Sequence, residues 1–467
     1  MDNLFVDKCT TAENAEVTVS STLEMLGRLC LMNGTLDLGS DSLNFLSNAT
    51  GTGVLDAVPA TADLSGDESG VVTSGIQRYI APDSDGVTFT GYTLFASPVE
   101  GLTVGDLEDI NGFYLAGFAG TEWPNSFSTV LFWDEVNSEF VEPTNLNTPL
   151  DTLGGVWIAI AGSQNPTMAT GGALRSHAEE DGWSQVLTRS STATPVYRGW
   201  NMIQNPYQAQ LDWNAIRDLN PGVEDQYAIY DTQAKAFQRF GTESLDSLQI
   251  NGSRYIQPGN SFWVRVRADS TQTTFSLPPS VIDNAAAGGP FVRSENGGDE
   301  VLLALENAYG TGYLWLRFSE AGTMEYVHGR DVSFLPSSSI RHGQLAVQTD
   351  NGDFVTKSLP SDAEASLRVI SRANLESTLR VVRASADFCG RIVDQETGAV
   401  LPLMEGEEMT FTLPAHEADS GRFALTVHDW ARSEAIMPSC PDAVDGRVQI
   451  EVGALLSAHV ALLDDAG

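Results

Sequence analysis

An all-β architecture is predicted: an N-terminal β-solenoid-like segment followed by tandem β-sandwich-like domains. Three observations carry it. Short runs rich in Val, Ile, Thr, Leu and aromatic residues alternate with Gly, Asn, Asp and Ser turn clusters along nearly the whole chain. Amphipathic windows of helical length are scarce, and only Val104–Ile110, Trp213–Leu219 and Ser176–Val186 suit short helices. The 467 residues are 42% hydrophobic and include 20 Phe, 11 Tyr and 9 Trp, which is too apolar for a disordered chain. At roughly 100–200 residues per domain, the length suits three or four units.

Residues 1–80 form the solenoid-like segment. Val17-Thr18-Val19, Leu29-Cys30-Leu31, Leu36-Asp37-Leu38 and Leu43-Asn44-Phe45 are very short alternating strands, separated by turns such as Asn33-Gly34 and Gly39-Ser40. Strands recurring about every seven to ten residues suit rungs that stack inward side chains coil on coil, with a small hairpin-linked sandwich as the alternative.

Residues 81–165 and 196–280 read as two β-rich repeats. Gly91-Tyr92-Thr93-Leu94-Phe95-Ala96-Ser97-Pro98-Val99 matches Gly199-Trp200-Asn201-Met202-Ile203-Gln204-Asn205-Pro206-Tyr207. Leu131-Phe132-Trp133-Asp134 with Phe140 answers Ala228-Ile229-Tyr230-Asp231 with Phe237, and Gly155–Ile160 answers Asn260–Arg265. Residues 166–195, polar and rich in Gly, Ser and Thr, are expected to be a connection. Within the second repeat, Pro206 ends a strand, Asp212 is placed to cap a helix starting at Trp213, and Trp200, Tyr207, Trp213 and Phe262 are expected in the core. Residues 281–436 follow a Pro/Ala/Gly-rich break and read as a β-sandwich domain, from Val301–Leu305 through Arg422–Val427. Residues 437–467 read as C-terminal strands, and Val448–Val452 offers a segment for strand donation between copies.

The four cysteines fall into two local pairs, Cys9 with Cys30 and Cys389 with Cys440, which would also tie residues 437–467 back. Local bridging is the favoured one of three connectivities, with four buried free thiols as the alternative. The first eight residues lack a basic segment followed by an apolar one, so the expectation is either a cytoplasmic chain or a mature one whose leader has been removed. Nothing approaches the ~18–20 consecutive apolar residues of a membrane helix.

Several of these blocks resemble a known family. Gly199–Tyr207 through Leu211-Asp212-Trp213, and Tyr255-Ile256-Gln257-Pro258-Gly259-Asn260-Ser261-Phe262-Trp263-Val264, are similar to segments in the non-catalytic regions of Bacteroidota cell-surface proteins exported by the type IX secretion system. Ile392-Val393-Asp394-Gln395-Glu396-Thr397-Gly398 and Gly421-Arg422-Phe423-Ala424-Leu425 resemble the strands that usually precede the sorting domain of these cargo proteins, whose own signature is missing after Asp464. The resemblance spans most of residues 15–430 and implies an extracellular or outer cell-surface address. It also implies O-linked glycans at Ser42, Thr152 and Ser247, each in an Asp-Ser/Thr-aliphatic triplet.

Charge and motifs narrow the chemistry. Sixty-two Asp and Glu against 25 Lys and Arg give a net charge of −37, which argues against a nucleic-acid or anionic-membrane surface. Gly-x-Ser-x-Gly and HExxH are absent, and His177, His328, His342, His416, His428 and His459 are scattered singly, so no catalytic residue is assigned. No cofactor is expected; calcium is the metal that would suit the acidic turns at Asp63, Asp67, Asp83 and Asp85, but neither turn completes the twelve-residue EF-hand pattern, and plain acidic turns are the favoured reading. Trp123, Trp133, Trp157 and Trp183 are candidates for stacking on sugar rings. The expected function is therefore a structural or adhesive surface protein, not an enzyme, whose partners are other cell-surface proteins, copies of itself or extracellular glycans. A carbohydrate-binding module of a glycan-active protein is the alternative.

Overall fold

In a computed structural model, the described residues are 3–7, 16–48, 51–66, 73–80, 88–107, 115–122, 124, 126–150, 154–164, 167–178, 182–231, 236–241, 254–283, 299–308, 310–319, 322–327, 331–335, 343–349, 352–360, 363–370, 375–384, 390–413, 419–427, 432–436 and 447–451. They are almost entirely β. The chain divides into two compact units, residues 1–294 with 335–339, and residues 295–334 with 340–467.

The first unit opens with a parallel ladder. Strand Arg28–Asp37 lies between Asn3–Asp7 and Val54–Leu55 at one end, so that Leu29 is level with both Leu4 and Leu55. At its other end Leu36 is level with Val17 and Leu64. Leu23–Met25, Leu43–Phe45 and Thr73–Tyr79 form a second parallel set that stacks Met25, Phe45 and Ile76. Like side chains thus repeat from strand to strand, and Leu29, Leu36, Phe45 and Leu55 are sealed from solvent in one core. Gly53 is needed here, because a Cβ would collide with the Met25 carbonyl oxygen. Thr73–Tyr79 also pairs with Thr167–Ala173 on its other edge. Residues 166–195, expected as a connection, therefore carry two strands, Thr167–Ala173 and Trp183–Thr188, the latter paired with Gln272–Leu277. The first is too Gly/Thr-rich to show alternation; its pairing with Thr73–Tyr79 defines it.

The two repeats are two sheets of one topology. The first comprises β1 (Thr88–Phe95), β2 (Val130–Asp134), β3 (Glu139–Val141) and β4 (Val156–Gln164); the second comprises β5 (Trp200–Gln204), β6 (Val223–Asp231), β7 (Ala236–Phe240) and β8 (Ser261–Val266). Their spatial orders, β1-β4-β2-β3 and β5-β8-β6-β7, are equivalent strand for strand. Registers agree too: Leu94, Trp157 and Leu131 are level in one sheet, as Met202, Trp263 and Ala228 are in the other. This places Trp157 opposite Trp263 in the repeat, so the sequence match of Gly155–Ile160 to Asn260–Arg265 is one residue out of step. Residues 156–160 and 262–264 are apolar and buried on both faces of their sheets, which hides a one-residue slip.

Between β5 and β6, α1 (Trp213–Leu219) forms as expected. Asp212 caps it by accepting from the Asn214 N–H at 3.0 Å, and Trp213 and Ile216 face the core. Of the first expected helix, the described part, Val104–Leu107, is a 3₁₀ turn, and the described end of Ser176–Val186 enters a strand at Trp183.

The second unit is built on an eleven-stranded sheet over a single core. The order is 400–402, 390–394, 419–427, 364–370, 344–349, 352–359, 310–318, 299–307, 376–384 and 408–412, with Val332–Ser333 added beside Gly352–Leu359. Its end strands, Val400–Pro402 and Glu408–Thr412, come back into contact, so the sheet nearly closes on itself. The two facing sheets expected here are instead continuous, joined by the parallel pairing of Gly310–Phe318 with Gly352–Leu359. Of the candidate donor segment Val448–Val452, the described residues 448–451 belong to the strand Arg447–Glu451, which pairs with Arg432–Ile436 of its own chain.

Candidate functional site

The faces that the two repeat sheets turn toward each other build a shared aromatic layer. Alternation along each strand produces it: Leu131 and Trp133 point one way from β2, Val130 and Phe132 the other, into the core of the parallel ladder. Contacts across the seam are reciprocal. Trp133 lies 5.2 Å from Trp263 and Tyr230 lies 4.7 Å from Trp157; Phe140 lies 6.2 Å from Trp263 and Phe237 lies 6.1 Å from Trp157. Each pair is its neighbour with the repeats exchanged, as across a two-fold interface. Trp133 Nε1 donates to the Trp200 carbonyl at 2.7 Å. Gly155 sits at a close approach of the two sheets, and a Cβ there would meet Met202 Cγ at 2.6 Å and Ser261 Cβ at 2.7 Å.

This layer accounts for two of the four candidate stacking residues. Trp157 is 2% exposed and packed against Tyr92, Phe140 and Tyr230, so it offers no face to a sugar, contrary to expectation. Trp133 is half-buried in the same layer. Trp183 is half-buried beside the core that holds Trp213, and Trp123 lies outside the described residues.

The motif residues behind the family resemblance act as hydrogen-bond nodes. Asn201 Nδ2 donates to the Thr188 and Gly199 carbonyls, while its Oδ1 accepts from the Thr188 N–H. Asn205 Nδ2 donates to the Ala209 and Gln257 carbonyls, and its Oδ1 accepts from the Tyr207 N–H. The Tyr207 hydroxyl donates to the Leu277 carbonyl at 2.5 Å. Trp200, Tyr207, Trp213 and Phe262 are all buried. In the second unit the two distant motifs meet: Arg422 grips Asp394 with two bonds, 2.9 and 2.8 Å, and Thr397 Oγ1 and the Glu396 N–H complete the turn. Burial raises the Asp394 carboxyl, but the Arg422 guanidinium, Thr397 and the Glu396 N–H outweigh it and hold the group at about 2.

One cluster brings together the residue types of a thiol nucleophile site. Cys30, Asp56 and His177 adjoin, with Arg28 Nε 2.6 Å from Asp56 Oδ1. Its geometry is structural. His177 Nδ1–H donates to the Asp56 carbonyl at 3.3 Å and Nε2 accepts from the Gln208 N–H at 3.2 Å, so the backbone takes both ring nitrogens. Burial pushes this imidazole down to about 4. Burial and the neighbouring Asp56 push the Cys30 thiol up to about 11, away from the thiolate a nucleophile requires. No sequence signal pointed to this node, since a single histidine has no pattern.

The remaining candidates are dispersed. Cys30 is a free thiol, while Cys9, Cys389 and Cys440 lie outside the described residues. Asp63 is exposed on Ala62–Ser65, and Asp67, Asp83 and Asp85 lie outside the described residues, among which no cluster of three metal-ligating side chains occurs. Ser42 is half-buried immediately before the strand Leu43–Phe45, its carbonyl accepting from the Leu23 N–H at 2.9 Å; Thr152 and Ser247 lie outside the described residues. An open groove of about 680 Å³ in the second unit is lined by polar residues including Gln348, Thr349, Glu364, Ser366 and Thr426. Among the described residues, no helix is long and apolar enough to cross a membrane. No family model, curated protein or solved structure matches the chain.

Proposed function

We propose that this chain is a secreted or cell-surface structural and adhesive β-protein without catalysis of its own, exported by the type IX route. On this reading the parallel ladder is a short β-solenoid and the facing repeats are a β-sandwich. The supporting observation is that the side chains most distinctive in the sequence are bound internally: Asn201, Asn205, Asp394 and Arg422 hold turns and strand ends, and the aromatic residues pack sheet on sheet. Such a molecule presents surface instead of chemistry, and its partners are other surface proteins, further copies of itself or extracellular glycans. Negative-stain imaging and light scattering of the purified chain over a concentration series test this. Regular assemblies that grow with concentration support it.

The polar groove around Glu364 favours a second reading, a carbohydrate-binding module. Particles that stay monomeric at every concentration and are retarded in a polysaccharide affinity gel, with retardation abolished by Glu364→Ala, would replace the first reading with the second.

A further inference from the structure

The chain is almost devoid of lysine. Only Lys8, Lys235 and Lys357 occur among its 25 basic residues, and Lys357 is the one lysine among the described residues. It is also the basic residue placed where a cation is least expected, with its side chain and that of Asp331 both 0% exposed inside the eleven-stranded unit. Lys357 Nζ lies 2.7 Å from Asp331 Oδ2 and 2.8 Å from the Glu325 carbonyl. The Phe354 ring flanks it, centred 5.3 Å away. Asp331 is fixed from the other side, where the Ser358 N–H donates to Oδ1 at 2.9 Å and the Val327 N–H to Oδ2 at 2.7 Å.

We propose that Lys357 and Asp331 condense into an intramolecular isopeptide bond. The reaction is an acyl transfer with water as the leaving group and needs no oxidant or cofactor. Within the pair, one proton passes from the ammonium to the carboxylate, leaving a neutral amine beside a carboxylic acid. Nζ attacks Cγ, the Cγ–Nζ bond forms, and the Ser358 N–H stabilises the oxygen that becomes negative. The hydroxyl then departs with a proton from the nitrogen as water, and the remaining N–H keeps the Glu325 carbonyl as its acceptor. Burial favours the neutral partners, pushing Lys357 down and Asp331 up. Fixed contact supplies the proximity, which in well-oriented intramolecular reactions reaches effective concentrations of about 10⁵–10⁸ M.

Two comparisons favour a bond over a permanent ion pair. Elsewhere the chain pairs its buried acids with arginine, as at Asp394–Arg422, Asp353–Arg368 and Asp56–Arg28. Arginine makes the better buried ion pair but does not lose its proton, so it cannot attack a carboxyl carbon and be acylated. An amide, moreover, carries no charge to desolvate, whereas a fully buried ion pair does. The product would close residues 331–357 into a covalent loop between the strand Gly352–Leu359 and the segment beside it.

The intact mass of the purified full chain, denatured and reduced, tests this without relying on activity. The mass is expected to fall short of the sequence mass by one water. Trypsin should leave Lys357 uncut and release residues 331–341 joined to residues 342–368 as a branched peptide. Lys357→Arg and Asp331→Ala should each restore the full mass. A wild-type chain at full mass, or a one-water deficit that survives in Lys357→Arg, overturns the proposal. Because the readout is a covalent mass, it stands or falls apart from the adhesive reading.

Discussion

At the scale of single residues, His177 has a role only because two distant chain segments, at residues 56–58 and at Gln208, meet on it. Val58 donates to its carbonyl, Asp56 accepts from one ring nitrogen, and Gln208 donates to the other. This arrangement requires the neutral ring with its proton on Nδ1, so protonation would break the bond from Gln208. An unfolded histidine titrates near 6.5 and the folded one at about 4. As pH falls through that window, the unfolded chain takes up a proton that the folded chain refuses, and stability is lost. The contribution is whole above the unfolded value and has declined by roughly 3 kcal/mol once the pH is below the folded value. Asp56, raised by burial, works in the opposite direction lower in the range, so the wild type alone would mix the two. Urea unfolding at about pH 7.5 and about pH 5 should therefore be compared in wild type and His177→Gln. The fall in stability should be smaller in the variant; equal falls would show that His177 is not the group responsible.

At the scale of elements, the repeat was the most legible feature, because aromatic residues between two buried faces leave a strong pattern. Tyr92, Trp133 and Phe140 were matched correctly to Trp200, Tyr230 and Phe237, and the cap at Asp212 followed from one residue type before an apolar run. The slip at Trp157 and Trp263 shows the limit, since Phe262 next door is equally aromatic and only hydrogen-bond register separates the two. Thr167–Ala173 was illegible for the opposite reason: its identity as a strand comes from a partner about ninety residues away and not from its own side chains. The Cys30–Asp56–His177 node was equally hidden, being assembled from distant single residues. Pseudo-two-fold packing makes a quantitative statement possible. Trp157→Ala and Trp263→Ala remove equivalent side chains from one layer, so each should cost about 3–5 kcal/mol in chemical unfolding. Because Phe140 and Phe237 each touch both tryptophans, the double variant should cost less than the sum. Additive costs, or one neutral tryptophan, would mean that the layer does not act as a unit.

At the scale of the whole molecule, the charge of −37 is concentrated at the surface by where the few cations go. Seven acidic residues are buried among the described residues: Asp56, Glu135, Glu224, Asp225, Asp331, Asp353 and Asp394. Six of them face an arginine or a lysine, and Glu135 accepts from the Ser190 and Gly199 N–H groups instead. Cations are thus drawn into interior pairs, which leaves a surplus of acids to repel one another at the surface. Dissolved salt acts on these two populations differently. Exposed like charges are screened over about 10 Å at 0.1 M ionic strength, whereas buried pairs, shielded by protein, change little. Raising sodium chloride from about 0.05 to about 0.5 M should therefore relieve repulsion faster than it weakens the pairs, and the melting temperature should rise. Potassium chloride should match it, since the effect follows ionic strength and not a bound ion. A melting temperature that falls with either salt would mean that exposed ion pairs, and not self-repulsion, dominate the surface electrostatics.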